Sequence, residues 1–202
     1  MNVRRSVEGE TDPVESVHPA IDLAGWAAID VVVRIVLTPD SAGVGDLARV
    51  GRDGDPRDGL VVLGGAMSIL DEADHPFIDS TRHLMRAFDT AQKPVLGVCF
   101  GAPLLADAHG GRVKPLGHTE WGFLPQTWLP AAKEDVLLAE SPPGLPLMQW
   151  HGDTFDLPSE AVPLSTRLDC PGQAFRIGEI NWGLQFHLEL DQPTLLNWAK
   201  LH

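Results

Sequence analysis

Residues Pro94–Gly111 read PVLGVCFGAPLLADAHGG, and the fold turns on them. Pro94–Val98 is a short apolar run of the kind that forms a strand buried on both faces, and Pro103–His109 begins a helix. Between them, Gly97-Val98-Cys99-Phe100-Gly101 has the G-x-nucleophile-x-G form of a nucleophile elbow, with cysteine at its centre. A side chain presented on a sharp strand-to-helix turn needs small neighbours, because its backbone is strained and closely approached. The helix that starts behind it favours a thiolate. A lone cysteine at a strand end is usually packing. The flanking glycines and the strand–turn–helix setting make Cys99 a candidate nucleophile instead.

Upstream, Leu60–Leu63 (LVVL) is another continuous apolar run and ends in Gly64–Gly65. His75–Ala91 carries Phe77, Ile78, Leu84, Met85 and Phe88 close to helical spacing. Val31–Leu37 (VVVRIVL) is β-branched and strand-like, Pro19–Ile29 reads as helix, and Met1–Val7 as a short first strand before the acidic loop Glu8–Glu15. Thr38–Asp58, rich in Gly, Asp and Arg, reads as loop with one helical turn. Downstream, Phe123–Trp128, Val136–Ala139, Leu147–Trp150, Gln173–Ile177 and Gly183–Phe186 are strand candidates, and Leu195–Leu201 closes as a helix. This order predicts one α/β domain over residues 1–202: a doubly wound, mostly parallel sheet flanked by helices, with a small antiparallel β elaboration.

Bulk composition narrows the function. A formal net charge of −13 with four lysines speaks against nucleic acid or an anionic membrane as partner. No apolar run approaches the roughly 20 residues of a membrane helix, and the N-terminus lacks the apolar stretch of a secretory signal. Two cysteines, Cys99 and Cys170, are too few for a disulfide framework, so a cytoplasmic setting is expected.

A cysteine nucleophile needs a base, and the base an orienter. Gly183–Glu189 reads GLQFHLE; in a strand, His187 and Glu189 would share a face. His118, near Glu120, and His151, in Gln149–Asp156 (QWHGDTFD), are the other candidates for the base. His18, His75, His83, His109 and His202 fall in expected loops, helices or the terminus. The backbone N–H of Phe100 and the glycine loop Gly64–Gly65 would supply an oxyanion hole. His151, Asp153, His187 and Glu189 have the ligand types of a metal site, but no metal is expected.

Together, LVVLGGAMSILDEADHP, VLGVCFGAPLLADAHGGRV, MQWHGDTFDLP and CPGQAFRIG…GLQFHLE resemble, in order, four segments of the class I glutamine amidotransferases, in particular small proteins similar to the amidotransferase domain of GMP synthase. The resemblance runs from about Leu60 to Trp198. It implies a flavodoxin-like architecture and a Cys99–His187–Glu189 triad, with Gly65 and Phe100 as the oxyanion donors. Gly64, Pro103 and Gln185 fall on its substrate-binding positions, and no cofactor is implied. The substrate would be glutamine or another γ-glutamyl compound, cleaved at its γ-amide through a thioester. Two alternatives remain: a γ-glutamyl peptidase, hydrolase or acyltransferase, and a catalytically reduced binding or regulatory subunit. Pro103 stands where the family usually has Gln, and Leu188 where F-H-P-E has Pro. The loss of that Gln predicts poor activity on free glutamine, with a larger γ-glutamyl substrate or a partner required. With thirteen residues after Glu189, an ammonia-accepting synthase is expected on a separate chain.

Overall fold

The short apolar runs alternate with helices and become the parallel strands of one sheet. The computed structural model describes residues 31–33 and 59–201. The elements are β1 (Val31–Val33), β2 (Gly59–Val62), α1 (Phe77–Thr90), β3 (Val95–Val98), α2 (Gly101–Ala108), β4 (Arg112–Pro125), β5 (Thr127–Trp128), β6 (Pro146–Asp156), β7 (Ala161–Thr166), β8 (Ala174–Ile177), β9 (Asn181–Leu184) and α3 (Gln192–Leu201). The sheet runs β1-β2-β3-β9-β8-β7-β5. Its first four strands are parallel, and β8, β7 and β5 join antiparallel. β4 and β6 form a separate antiparallel ribbon, irregular between Pro115 and Glu120. The expected α/β sheet with flanking helices and added antiparallel strands is therefore what the chain forms.

The chain divides into two compact units, the larger being Leu23–His187 and the smaller containing Leu188–His202. In the larger unit, α1 buries Ile78, Thr81, Leu84, Met85 and Phe88 on one face, each large apolar side chain contributing about 1.5–3 kcal/mol. The Thr81 hydroxyl donates to the Phe77 carbonyl at 2.8 Å, so its polar atom is satisfied in the core. α1 ends where Gln92 turns left-handed (φ 56°) and the Lys93 N–H reaches back to the Phe88 carbonyl at 2.9 Å. Helix α2 is buried almost throughout. Arg82 ties the two helices through Asp107 (2.5 Å) and also holds Glu72 and Asp79. In the smaller unit, the Asp191 carboxylate accepts from the Thr194 N–H at the start of α3.

Three expectations need correction. Val136–Ala139 is a turn, not a strand: Leu138 and Ala139 donate to the Asp135 carbonyl, and the Asp135 carboxylate accepts from the Leu137 N–H. That carboxylate is anchored by Arg176 and by the Trp182 indole N–H, which outweighs the β preference of Val136, now 88% exposed. Second, the ribbon is longer than the apolar runs suggested, beginning at Arg112 and extending to Asp156, and β7 carried no apolar alternation strong enough to mark it. Third, β9 stops at Leu184, so the alternation argument for His187 and Glu189 does not describe their placement. His187 instead makes an isolated bridge to Met148. The expected elements Met1–Val7, Pro19–Ile29 and Thr38–Asp58, and the end of Val31–Leu37, lie outside the described residues.

Candidate active site

The elbow is built as its sequence requires. Cys99 takes φ +53°, a conformation costly for a residue with a side chain. Its N–H donates to the Leu184 carbonyl of β9 at 2.8 Å, and its carbonyl accepts from Ala102 at 3.1 Å. The two glycines are steric necessities. A Cβ on Gly97 would lie 2.3 Å from the Gly101 carbonyl oxygen, and one on Gly101 would lie 2.2 Å from that of Val62. The turn therefore closes only because both positions lack side chains.

Gly64 marks the meeting point of the candidate groups. A Cβ there would stand 3.2 Å from His187 Cε1 and 3.6 Å from Cys99 Sγ, so one methyl-sized volume touches both. His187 is buried, and its backbone N–H donates to the Met148 carbonyl of β6 at 2.9 Å. The Cys99 thiol faces the Trp150 carbonyl, two residues along β6, at 3.7 Å. Gly65 lies against Phe100, since a Cβ on it would be 3.8 Å from the Phe100 ring. Gln185 is fully buried, its backbone donates to Gln173, and its side-chain oxygen has no donor among the described residues. Pro103 is buried in the first turn of α2. Glu189 is half-buried in the smaller unit.

The W-H-G-D segment of β6 does its work on both sides of this site. The Ser68 hydroxyl donates to Asp153 at 2.5 Å, tying the loop after Gly65 to β6. His151 points into a buried lattice: Nδ1 faces the Asp153 carbonyl at 2.9 Å, and Nε2 faces Glu120 at 2.9 Å and the Gln149 amide oxygen at 3.1 Å. Gln173 donates to Glu120 and accepts from Gln149; Arg167 donates to the other Glu120 oxygen at 3.1 Å. Burial alone would raise the Glu120 carboxyl, but hydrogen bonds from His151 and Arg167 hold it below its ordinary range.

Cys170 joins the same cluster, its thiol 3.4 Å from the Thr154 hydroxyl; burial pushes this thiol up. Donor atoms of Glu120, His151 and Cys170 all lie within 4.8 Å of one another. The His151 and Glu120 atoms that a cation would need are committed to the lattice. Sequence reasoning left His151 open as a base and did not find this cluster, whose members lie 19 to 50 residues apart. His118 is exposed on β4. A separate cavity of about 590 Å³, lined by Lys114, Thr154 and Asp156 among others, includes neither Cys99 nor His187. Among the described residues no helix is long and apolar enough to cross a membrane.

Comparison with known proteins bears on the family and the fold. Residues 47–194 match the family model for "Glutamine amidotransferase class-I". The glutamine amidotransferase-like protein YfeJ of Salmonella typhimurium is 33% identical over 138 residues, or 67% of this chain and 58% of that protein. A glutamine-hydrolysing GMP synthase of Porphyromonas gingivalis is 40% identical over 100 residues, which is 48% of this chain and 19% of the synthase. The chain thus spans less than two thirds of the length of either relative. A crystal structure of a glutamine amidotransferase from Thermotoga maritima superposes with a TM-score of 0.68 at 31% identity, covering 74% of this chain and 64% of that one. One from Methylobacillus flagellatus gives 0.70 at 29% identity, covering 89% and 67%.

Proposed function

The chain belongs to the class I glutamine amidotransferase family, and on that premise we propose that it is a cysteine-dependent amidase that cleaves the γ-amide of glutamine or a γ-glutamyl compound. The observation that carries this reading is the gathering of Cys99 and His187 around Gly64, with Cys99 held in the left-handed conformation of an elbow. His187 takes the thiol proton, and the sulfur attacks the γ-carbonyl carbon. The oxygen that gains charge is held by the N–H groups of Gly65 and Phe100. The C–N bond breaks as His187 returns the proton to the leaving nitrogen, and water then hydrolyses the thioester to glutamate. By the resemblance to the family Glu189 is assigned as the orienter of the base, and the Gln185 side-chain oxygen, which has no donor among the described residues, accepts an N–H of the substrate. No step calls for a metal or an organic cofactor.

Pro103 offers no side-chain hydrogen bond where the family's Gln would. This favours a γ-glutamyl substrate larger than glutamine, hydrolysed or passed to an acceptor. When ammonia is the product, its consumer is a synthase, a reading supported by the similarity to glutamine-hydrolysing GMP synthases.

Alkylation tests the nucleophile. Iodoacetamide followed by peptide mapping should label Cys99 first, because Cys170 is fully buried and its thiol is held protonated by burial. Preferential labelling of Cys170, or full activity in Cys99→Ala, overturns the assignment. Gly64→Ala tests the meeting point. Its methyl intrudes between sulfur and imidazole, so turnover should drop on the order of 10²-fold while the melting temperature shifts little. Undiminished turnover would mean that the reacting carbonyl does not pass Gly64.

A further inference from the structure

We propose that Trp121 and Trp150 form the subsite for the leaving amine, and that the preferred substrates are γ-glutamyl amides of aromatic amines. This rests on the reading of Cys99 and His187 given above. One edge of β6 runs past both reacting groups: the Met148 carbonyl receives the His187 N–H, and the Trp150 carbonyl receives the Cys99 thiol. The amine expelled from the γ-carbonyl carbon must collect its proton from His187, so its nitrogen lies beside this edge.

The β4–β6 ribbon has two faces. On one, the register partners Glu120 and His151, with Gln149, are sealed in the buried lattice. On the other, the register partners Trp121 and Trp150 stack edge-on with ring centroids 4.3 Å apart, and Trp121 and Phe123 stay 50% and 60% exposed. Cys99 itself is buried. A substituent on the departing nitrogen therefore has the sealed lattice on one side and an open aromatic wall on the other. The edge-on contact fixes the Trp121 ring before any ligand arrives, so a second aromatic ring can pack there at little ordering cost.

The overall reaction balances without a further reagent. The Cys99 sulfur forms a bond to the γ-carbon, the γ-C–N bond breaks, and the amine leaves with the proton carried by His187. One water then cleaves the thioester, giving glutamate and restoring the thiol.

The test compares kcat/KM for γ-glutamyl-benzylamide and γ-glutamyl-methylamide in the full-length wild type, Trp121→Leu and Trp121→Phe, with thermal melts to follow folding. The benzylamide should lead by about tenfold or more in the wild type. That ratio should collapse in Trp121→Leu and return in large part in Trp121→Phe. Hydrolysis of both amides with an unchanged ratio in Trp121→Leu overturns the aromatic subsite and leaves the amidase reading intact. Failure to hydrolyse either amide, with Cys99 left unacylated, overturns the amidase reading and the subsite with it.

Discussion

His187→Ala should lower turnover of any γ-glutamyl amide by a factor on the order of 10³ or more, with the fold retained. In the proposed mechanism two steps depend on the imidazole: removing the thiol proton, and protonating an amine that leaves poorly as an anion. The fold should survive because the bridge to β6 uses the His187 backbone, not its ring. His151→Ala is the control, since its ring serves the buried lattice and its loss should register as stability. Kinetics and urea unfolding on both variants separate the two. A mild kinetic effect at His187 with a severe one at His151 in folded protein would reverse the assignment.

Glu120→Ala should destabilise the protein by about 3–5 kcal/mol, the usual cost of stranding the partners of a buried ion pair. The carboxylate accepts from His151, Gln173 and Arg167. The His151 ring faces an oxygen at each nitrogen, the Asp153 carbonyl at Nδ1 and the Glu120 carboxylate at Nε2. Removing Glu120 leaves these donors buried without their acceptor. Glu120→Gln should cost less, because it keeps the shape and one acceptor.

The acid side carries the signature of the pair. The Glu120 carboxyl in the folded protein sits below its ordinary value of 4.5, so the unfolded chain binds the proton more readily. Its stabilisation is present above about 4.5 and is lost as pH falls through the folded value. Urea unfolding between pH 7 and pH 3 should give a less steep decline in Glu120→Gln than in the wild type. Parallel declines would mean that Glu120 is not the group lost in acid.

The elbow was legible because its signal is local and steric. A Cβ on Gly97 would meet the backbone of Gly101, four residues on, so this part of the constraint that fixes the turn is written in nearby letters, whereas Gly101 is constrained by Val62 of β2. The parallel strands were legible for a similar reason: a strand covered on both faces is continuously apolar. What escaped depends on distant partners. Val136–Ala139 looked like a strand because its run is apolar, yet its conformation is set by Asp135 through Arg176 and Trp182, 41 and 47 residues away. Glu120, His151 and Cys170 carried no spacing signal, since the ribbon and the following loop assemble them. The approach of His187 to Gly64 was anticipated in residue type but not in geometry, because it leaves the ladder at Leu184 rather than continuing a strand.

Position 99 sets selection for folding against selection for chemistry. The left-handed backbone at Cys99 is one that glycine would occupy without strain, worth about 1–2 kcal/mol. A lineage released from the need for a thiol would gain backbone stability by drifting to glycine there, while Gly97 and Gly101 stayed fixed because the turn cannot close otherwise. With Cys99 as the proposed nucleophile, use accounts for a side chain at the strained position between two sterically constrained glycines, and erosion to G-x-G-x-G would be the first trace of disuse.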